Sequence, residues 1–300
     1  MAIGDVSGAE DCPDIYYVDT GMYDVAEYGS VYIVDAERPA LVDTGIGANY
    51  DRILAAMREV GVAPEELEVI ALTHVHLDHA GGAGYLVEAC PDATVHVHEI
   101  GAPHLADPTR LWAGTKEAVG DQVQYYAEPK PVPEERIVEL TDGDVIDLGD
   151  HTLEAHHAPG HAPHQVVFAD PAIDAVFTAD AAGLYDPERD RAEPSSPPPD
   201  FDLEQAIADV KTIDSLQPET LLYSHFGPAK RTHQLQAYAR RLREWVQAVA
   251  AARTELEDDE AVIEHFTGET RATDIWGAQK GHGETAMNVR GVFAYLETEK

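Results

Sequence analysis

The feature that most constrains this chain is Thr73-His74-Val75-His76-Leu77-Asp78-His79, which follows directly on the apolar residues Leu67, Val69, Ile70, Ala71 and Leu72. The apolar run suits a buried strand, so the polar cluster starts where that strand ends. Three imidazoles and a carboxylate within six residues are hard to bury unpaired, because each polar group then needs a hydrogen-bond partner or a metal. On an extended segment His74 and His76 project to the same side and reach one ion. Asp78 and His79 lie on the following turn and can face a second. Imidazole and carboxylate are ligands that zinc and similar divalent ions accept, and neither cysteine is nearby in sequence.

The spacing His-x-His-x-Asp-His resembles the signature of the metallo-β-lactamase fold hydrolases, and four further stretches match that family in order. Asp43-Thr44-Gly45 resembles its first motif, an aspartate that supports the metal loop without ligating. Pro159-Gly160-His161 resembles the third, Thr178-Ala179-Asp180 the fourth and Ser224-His225-Phe226-Gly227 the fifth. The resemblance implies a four-layer αββα sandwich with metals at one edge. It implies one ion on His74, His76 and His161, a second on Asp78, His79 and His225, and Asp180 bridging both. Zinc is the first expectation for the two divalent ions, with iron or manganese as alternatives.

The chain has 300 residues and 44% apolar content, enough for a sizeable core. Against 56 acidic residues stand 20 lysines and arginines, a formal charge of 20 − 56 = −36, and only six of the basic residues are lysine. Nucleic acid is an unsuitable partner for such a surface, because phosphate binding depends on clustered positive charge. The acid is spread along the chain and resembles the lysine-poor surfaces of proteins from salt-loving organisms, where salt screens self-repulsion. Two cysteines, Cys12 and Cys90, make no disulfide framework, and a reducing cytoplasm is the simpler expectation. Residues 1–11 lack the pattern of a signal peptide, and no stretch approaches the ~20 apolar residues that span a bilayer. The oligomeric state is not written in the sequence.

Taken in order, Asp14–Asp19, Gly29–Asp35 and Pro39–Val42 read as three early strands, and Asn49–Val60 as a helix with Ile53, Leu54, Met57 and Val60 on one side and Gly61 as its stop. Small residues from Ala80 to Gly84 let the backbone pass close to the site before a helix ending near Cys90. Thr94–His98 is a strand whose two histidines copy the spacing of the metal pair. They lack a following Asp-His and are read as strand residues. Residues 103–135, with Trp112, Tyr125 and Tyr126, read equally as a cover over the site or as a plain connection.

A second β-run is expected from Ile137–Leu140, Val145–Leu148 and Thr152–His156, continuing through Gln165–Ala169 and Ala175–Thr178. Residues 186–200 read as an extended loop, and Asp202 as the cap of a helix containing Leu203, Ile207, Val210 and Ile213. Leu221–Tyr223 is the strand that carries His225. Helices follow at Gln234–Leu256, Ala261–Phe266 and Glu284–Leu296. The expected organisation is an αββα unit over residues 1–229 with a helical extension over 230–300, and this tail resembles that of glyoxalase II-like members.

Two ions held close together by these residues would share a hydroxide, because a bound divalent metal can lower the pKa of water to about 7. Asp78 is the residue expected nearest to acid–base work, and Asp43 the one that fixes the loop from behind the ligands. His164, three residues after His161, is read as a loop histidine, with lining the site as the alternative, and His156 and His157 as strand-end residues. His104, His151, His233, His265 and His282 are read as structural. Tyr185 and Phe226 adjoin ligand motifs and are read as substrate contacts or as packing. The leading expectation is a dinuclear metal-dependent hydrolase of a small thioester of the hydroxyacylglutathione type, since a common di-zinc β-lactamase would carry cysteine in the fourth motif. Glyoxalase II-like enzymes hold the thiol carrier with basic groups near the tail, and Lys280 and Arg290 stand as counterparts here. A lactonase or phosphodiesterase is the nearest rival, and mononuclear iron oxygenation of persulfides is a further possibility in the same fold. A metal-binding protein without turnover is the alternative of another class.

Overall fold

A computed structural model describes residues 1–298; the last two residues of the expected extension 230–300 lie outside it. Seven strands make the first sheet in sequence order: β1 (Val6–Gly8), β2 (Ile15–Asp19), β3 (Ser30–Val34), β4 (Ala40–Val42), β5 (Val69–Ala71), β6 (Thr94–His98) and β7 (Ile137–Leu140). Pairing is antiparallel up to β4 and parallel from β4 to β7. The parallel half needs crossovers. Helix α1 (Tyr50–Val60) makes the first, and α2 (Leu77–Ala80) with α3 (Ala83–Ala89) the second. Ile53, Leu54 and Met57 of α1 are buried with Leu86 and Val87 of α3 against one face of this sheet. Gly61 ends α1 at φ +99°, the left-handed turn that glycine adopts without a Cβ penalty.

After α4 (Ala102–Ala106) and α5 (Thr109–Val119), the second sheet has the order β15-β14-β11-β10-β9-β8. Its members are β8 (Val145–Asp147), β9 (Thr152–His157), β10 (Val166–Asp170), β11 (Ala175–Phe177), β14 (Thr220–Tyr223) and β15 (Gly227–Lys230), and β12 (Leu184–Asp186) pairs separately with β13 (Arg191–Glu193). Ile137–Leu140 therefore leaves the expected second run. As β7 it extends the first sheet beside β6, where Leu140 opposite His98 closes the ladder. Residues 186–200 are likewise not wholly a loop, since β13 pairs back onto β12.

The two sheets face each other across Tyr32, Val42, Val69 and Ala71 on one side and Leu153, Val166, Phe168, Phe177 and Leu222 on the other. On the outer face of the second sheet pack α6 (Leu203–Ser215) and α7 (Gln234–Leu256), with Val262 of α8 (Asp259–Glu269) and Val289, Val292 and Phe293 of α9 (Ala272–Thr298) in the same cluster. Asp202 caps α6 by accepting from Gln205 N–H at 2.8 Å. The layers are α, β, β, α, with further helices at the C-terminal end. Among the described residues no helix is long and apolar enough to cross a membrane.

Candidate metal centre

The ends of four strands point to one spot, and each delivers ligand-type side chains just past its last residue. Beyond β5 come His74, His76, Asp78 and His79. The β9–β10 loop brings His161, the turn after β11 brings Asp180, and the β14–β15 turn brings His225. Ligand atoms of His74, His76 and His161 lie within 4.8 Å of one another, as do those of His74, His79 and Asp180, and those of Asp78, His79 and His225. All seven side chains named from the sequence thus converge. The outer two groups are joined by the middle one, which takes His74 from the first and His79 from the last and adds Asp180 between them. Its Oδ1 is 3.3 Å from His79 Nε2 and 3.6 Å from His225 Nε2, while Oδ2 is 3.5 Å from His161 Nε2.

The rings are aimed from behind. Thr73 Oγ1 lies 3.2 Å from His74 Nδ1, Asp43 Oδ2 lies 2.8 Å from His79 Nδ1, Ser195 Oγ lies 3.2 Å from His161 Nδ1, and the Tyr28 carbonyl lies 2.8 Å from His225 Nδ1. Four Nε2 atoms are left facing inward, and such outer partners fix both ring orientation and tautomer. Asp43 does more than the sequence implied. At φ +65° after β4, it accepts from Thr73 N–H and Oγ1–H and from Ser224 Oγ–H, so one buried carboxylate ties the ends of β5 and β14 to His79. Close backbone approach completes the frame. A Cβ on Gly82 would sit 2.4 Å from the Thr44 carbonyl oxygen, and one on Gly160 would sit 2.1 Å from Ala206 N.

The inward atoms fit a cation. His74 Nε2 and His161 Nε2 both lie 3.1 Å from His76 Nδ1, and one ring proton can serve only one of those contacts. Asp180 Oδ1 is buried and accepts no hydrogen bond. Burial and the neighbouring imidazoles push His74 well below the usual histidine range, and burial takes His161 down to about 3, so both keep a free lone pair. Burial acts the same way on His79, but Asp43 and Asp180 outweigh it and hold that ring well above its ordinary value. For Asp180, burial is outweighed by His161, His225 and His79, and the carboxylate stays ionised far below its usual range.

The centre opens into a cavity of about 620 Å³. Helix α5 supplies part of its wall through Arg110, Leu111 and Ala118, so the 103–135 segment does cover the site. Sequence reasoning missed Tyr23 and Tyr28, which line the cavity beside Tyr126 of the covering segment, whereas Phe226 lies elsewhere and Tyr185 stacks on Tyr223. His104 and His164, read as structural and loop residues, line it as well. His151 is held by Asp170 at 2.6 Å, away from the site.

The far end of the chain reaches the centre twice. Glu284 Oε2 on α9 accepts from Tyr28 Oη–H at 3.0 Å and Lys280 Nζ–H at 2.8 Å, and its Oε1 accepts from Asn288 Nδ2–H at 3.0 Å. Asn288 Oδ1 in turn accepts from Ser196 N–H, next to the Ser195 that touches His161 and Asp180. Lys280 is thus already paired, with Nζ also 3.9 Å and 4.3 Å from the Tyr23 and Tyr28 ring centres. Arg290 is exposed on the cavity wall.

Comparison with known proteins agrees with this architecture. The fold of an archaeal protein, ST1585 from Sulfolobus tokodaii, superposes with a TM-score of 0.70 at 20% identity, covering 94% of this chain and 99% of that one. A B3 metallo-β-lactamase with an active-site glutamic acid superposes at 0.57 and 21% identity, covering 80% of this chain and 88% of that one. In sequence, ST1585, described as a metallo-β-lactamase fold-containing protein of Sulfurisphaera tokodaii, is 24% identical over 72% of this chain and 79% of its own. The acyl-coenzyme A thioesterase MBLAC2 of Gallus gallus is 28% identical over 57% of this chain and 63% of its own length. The profile of the Metallo-beta-lactamase superfamily matches residues 25–225. With that match laid over the strand ends that gather the histidines, the chain belongs to the metallo-β-lactamase superfamily, whose members are generally metal-dependent hydrolases.

Proposed function

We propose that this chain is a hydrolase of small thioesters, of the glyoxalase II-like branch, that works with two divalent metal ions, zinc foremost. The observation that carries the reading is the meeting of five histidines and two aspartates, of which His76, Asp78, His161, Asp180 and His225 line the cavity. His74, His76 and His161 would hold one ion, Asp78, His79 and His225 the other, and Asp180 both. Bound ions of this kind activate water near neutral pH and polarise an acyl oxygen. The chain's own residues do the rest. Asp78, the most accessible carboxylate of the set with a side chain 23% exposed, faces the cavity and is placed to orient the attacking water or carry its proton. Tyr23, Tyr28, Leu111 and Ala118 give the acyl group an apolar wall and exclude bulk water.

Aspartate at position 180, the C-terminal helices and the kinship with an acyl-coenzyme A thioesterase all favour a thioester. Lys280 is a poorer carrier contact than its position suggests, because Glu284 already neutralises it. The test is a panel of hydroxyacylglutathione, acyl-coenzyme A, lactone and phosphodiester substrates run on protein of measured metal content. Thioester turnover that tracks metal content is expected. Metal-replete protein inactive across the panel would make this a metal-binding protein without turnover, and preference for lactone or phosphodiester would replace the substrate class.

A further inference from the structure

His164 holds an unspent hydrogen bond beside the metal ligands. It lies on the β9–β10 loop, and Val75 N–H donates to its Nδ1 at 3.4 Å. A ring nitrogen that accepts carries no proton, so the single proton of this imidazole is on Nε2. No protein group partners Nε2 among the described residues. Nor is Nε2 among the buried polar atoms left without a partner, and the ring lines the cavity. An N–H therefore opens onto the space where substrate must sit. The ring is held in place by neighbours, parallel to His74 at 6.1 Å between centres and edge-on to His76 at 5.5 Å. His98 accepts in the same manner from Ile100 N–H, but it lies off the cavity, stacked on His157. The combination of a fixed tautomer, a free donor and cavity exposure belongs to His164.

We propose that His164 donates a hydrogen bond from Nε2 to the acyl oxygen of the substrate as negative charge builds there. The inference rests on the hydrolase reading but not on which thioester is used. The ring neither gains nor loses a proton. Water adds to the acyl carbon, the C–S bond breaks, the pair of electrons leaves with sulfur, and the proton from water ends on the thiol or in solvent. A preorganised donor aimed at developing charge is worth more than one aimed at the ground state, because it gives up no favourable contact as the reaction proceeds.

The test compares His164→Phe, which keeps a ring without a donor, with His164→Gln, which restores one. On a thioester that the wild type hydrolyses, His164→Phe is expected to keep the wild-type metal content, hold KM within about threefold and lose about 100-fold in kcat, the scale of one lost oxyanion donor. His164→Gln is expected to recover about tenfold of that loss. Independently of turnover, 15N-histidine NMR of the metal-loaded protein should show His164 as the Nε2–H tautomer, with its signal moving on addition of acetate as a carboxylate probe. A kcat for His164→Phe within threefold of wild type overturns the proposal. So does an Nδ1–H tautomer, an acetate titration that leaves the signal unmoved, or loss of metal by both variants, which would make the residue structural. A wild type inactive on every substrate would defeat the hydrolase reading instead, and the NMR result would still decide the donor.

Discussion

His74-x-His76, just past the end of β5, and His96-x-His98, on the neighbouring parallel strand β6, carry the same spacing, with Ala71 of β5 directly opposite His96. Their fates differ. The first pair lies beyond the end of β5, where the chain is free to turn and where the β9–β10, β11–β14 and β14–β15 connections bring further ligands. The second pair lies within β6, where His96 is paired to strands on both sides and His98, the last residue, pairs with Leu140 of β7. There His96 Nε2 meets only Thr94 Oγ1 at 3.1 Å, its Nδ1 is buried without a partner, and His98 stacks on His157. Spacing proposes a metal site. Position at a strand end, with partners from other loops, gathers the donor atoms that one would need.

The comparison breaks most easily at the histidines themselves. His76→Ala is expected to lower kcat/KM on a thioester by about a thousandfold, roughly 4 kcal/mol of barrier, whereas His98→Ala should leave it within twofold. Steady-state kinetics on the two variants side by side reads this, and equal losses would erase the distinction.

The next effect comes from behind the site. Glu284→Ala strands the buried ammonium of Lys280, a defect worth about 3 kcal/mol of stability, and loosens Tyr28 behind His225. Urea unfolding should show the loss, and the double change Lys280→Met with Glu284→Leu should return most of it. If Glu284→Ala is neutral, the C-terminal helix does not brace the centre.

The smallest effect belongs to the decoy pair. Burial, with Arg38 nearby, lowers His96 to about 4, below its unfolded value near 6.5. The unfolded chain then binds the extra proton first, so stability present above pH 6.5 is lost as pH falls toward 4. Discounted for the ring's partial exposure, the loss is about 1–2 kcal/mol. His96→Val should flatten the acid limb of a pH–stability curve by that amount, and an unchanged limb would show that His96 is not held neutral.

Much of this was legible because it is local. The ligand motif, β6 and α7 from Gln234 to Leu256 all follow from short-range pattern. What was not legible is non-local or weakly patterned. β1 and β13 have three residues each, too few for an alternation to register, and β15, Gly-Pro-Ala-Lys, carries two poor strand formers. Ile137–Leu140 reads as a strand, but its sheet depends on a parallel partner 42 residues earlier at Val95. At the site the ligands announce themselves by type, whereas Ser195, Asn288 and His164 are ordinary residues made relevant by what lies opposite. A histidine three positions after a ligand motif was the one available signal for His164.

The most direct measurement is a calorimetric titration of metal-stripped protein with zinc, run on the wild type, His76→Ala and His98→Ala. Two equivalents are expected for the wild type and for His98→Ala, with at least one lost in His76→Ala. Wild-type protein that takes up no zinc, or a loss in His98→Ala that His76→Ala does not share, would contradict the assignment of the metal centre to the end of β5.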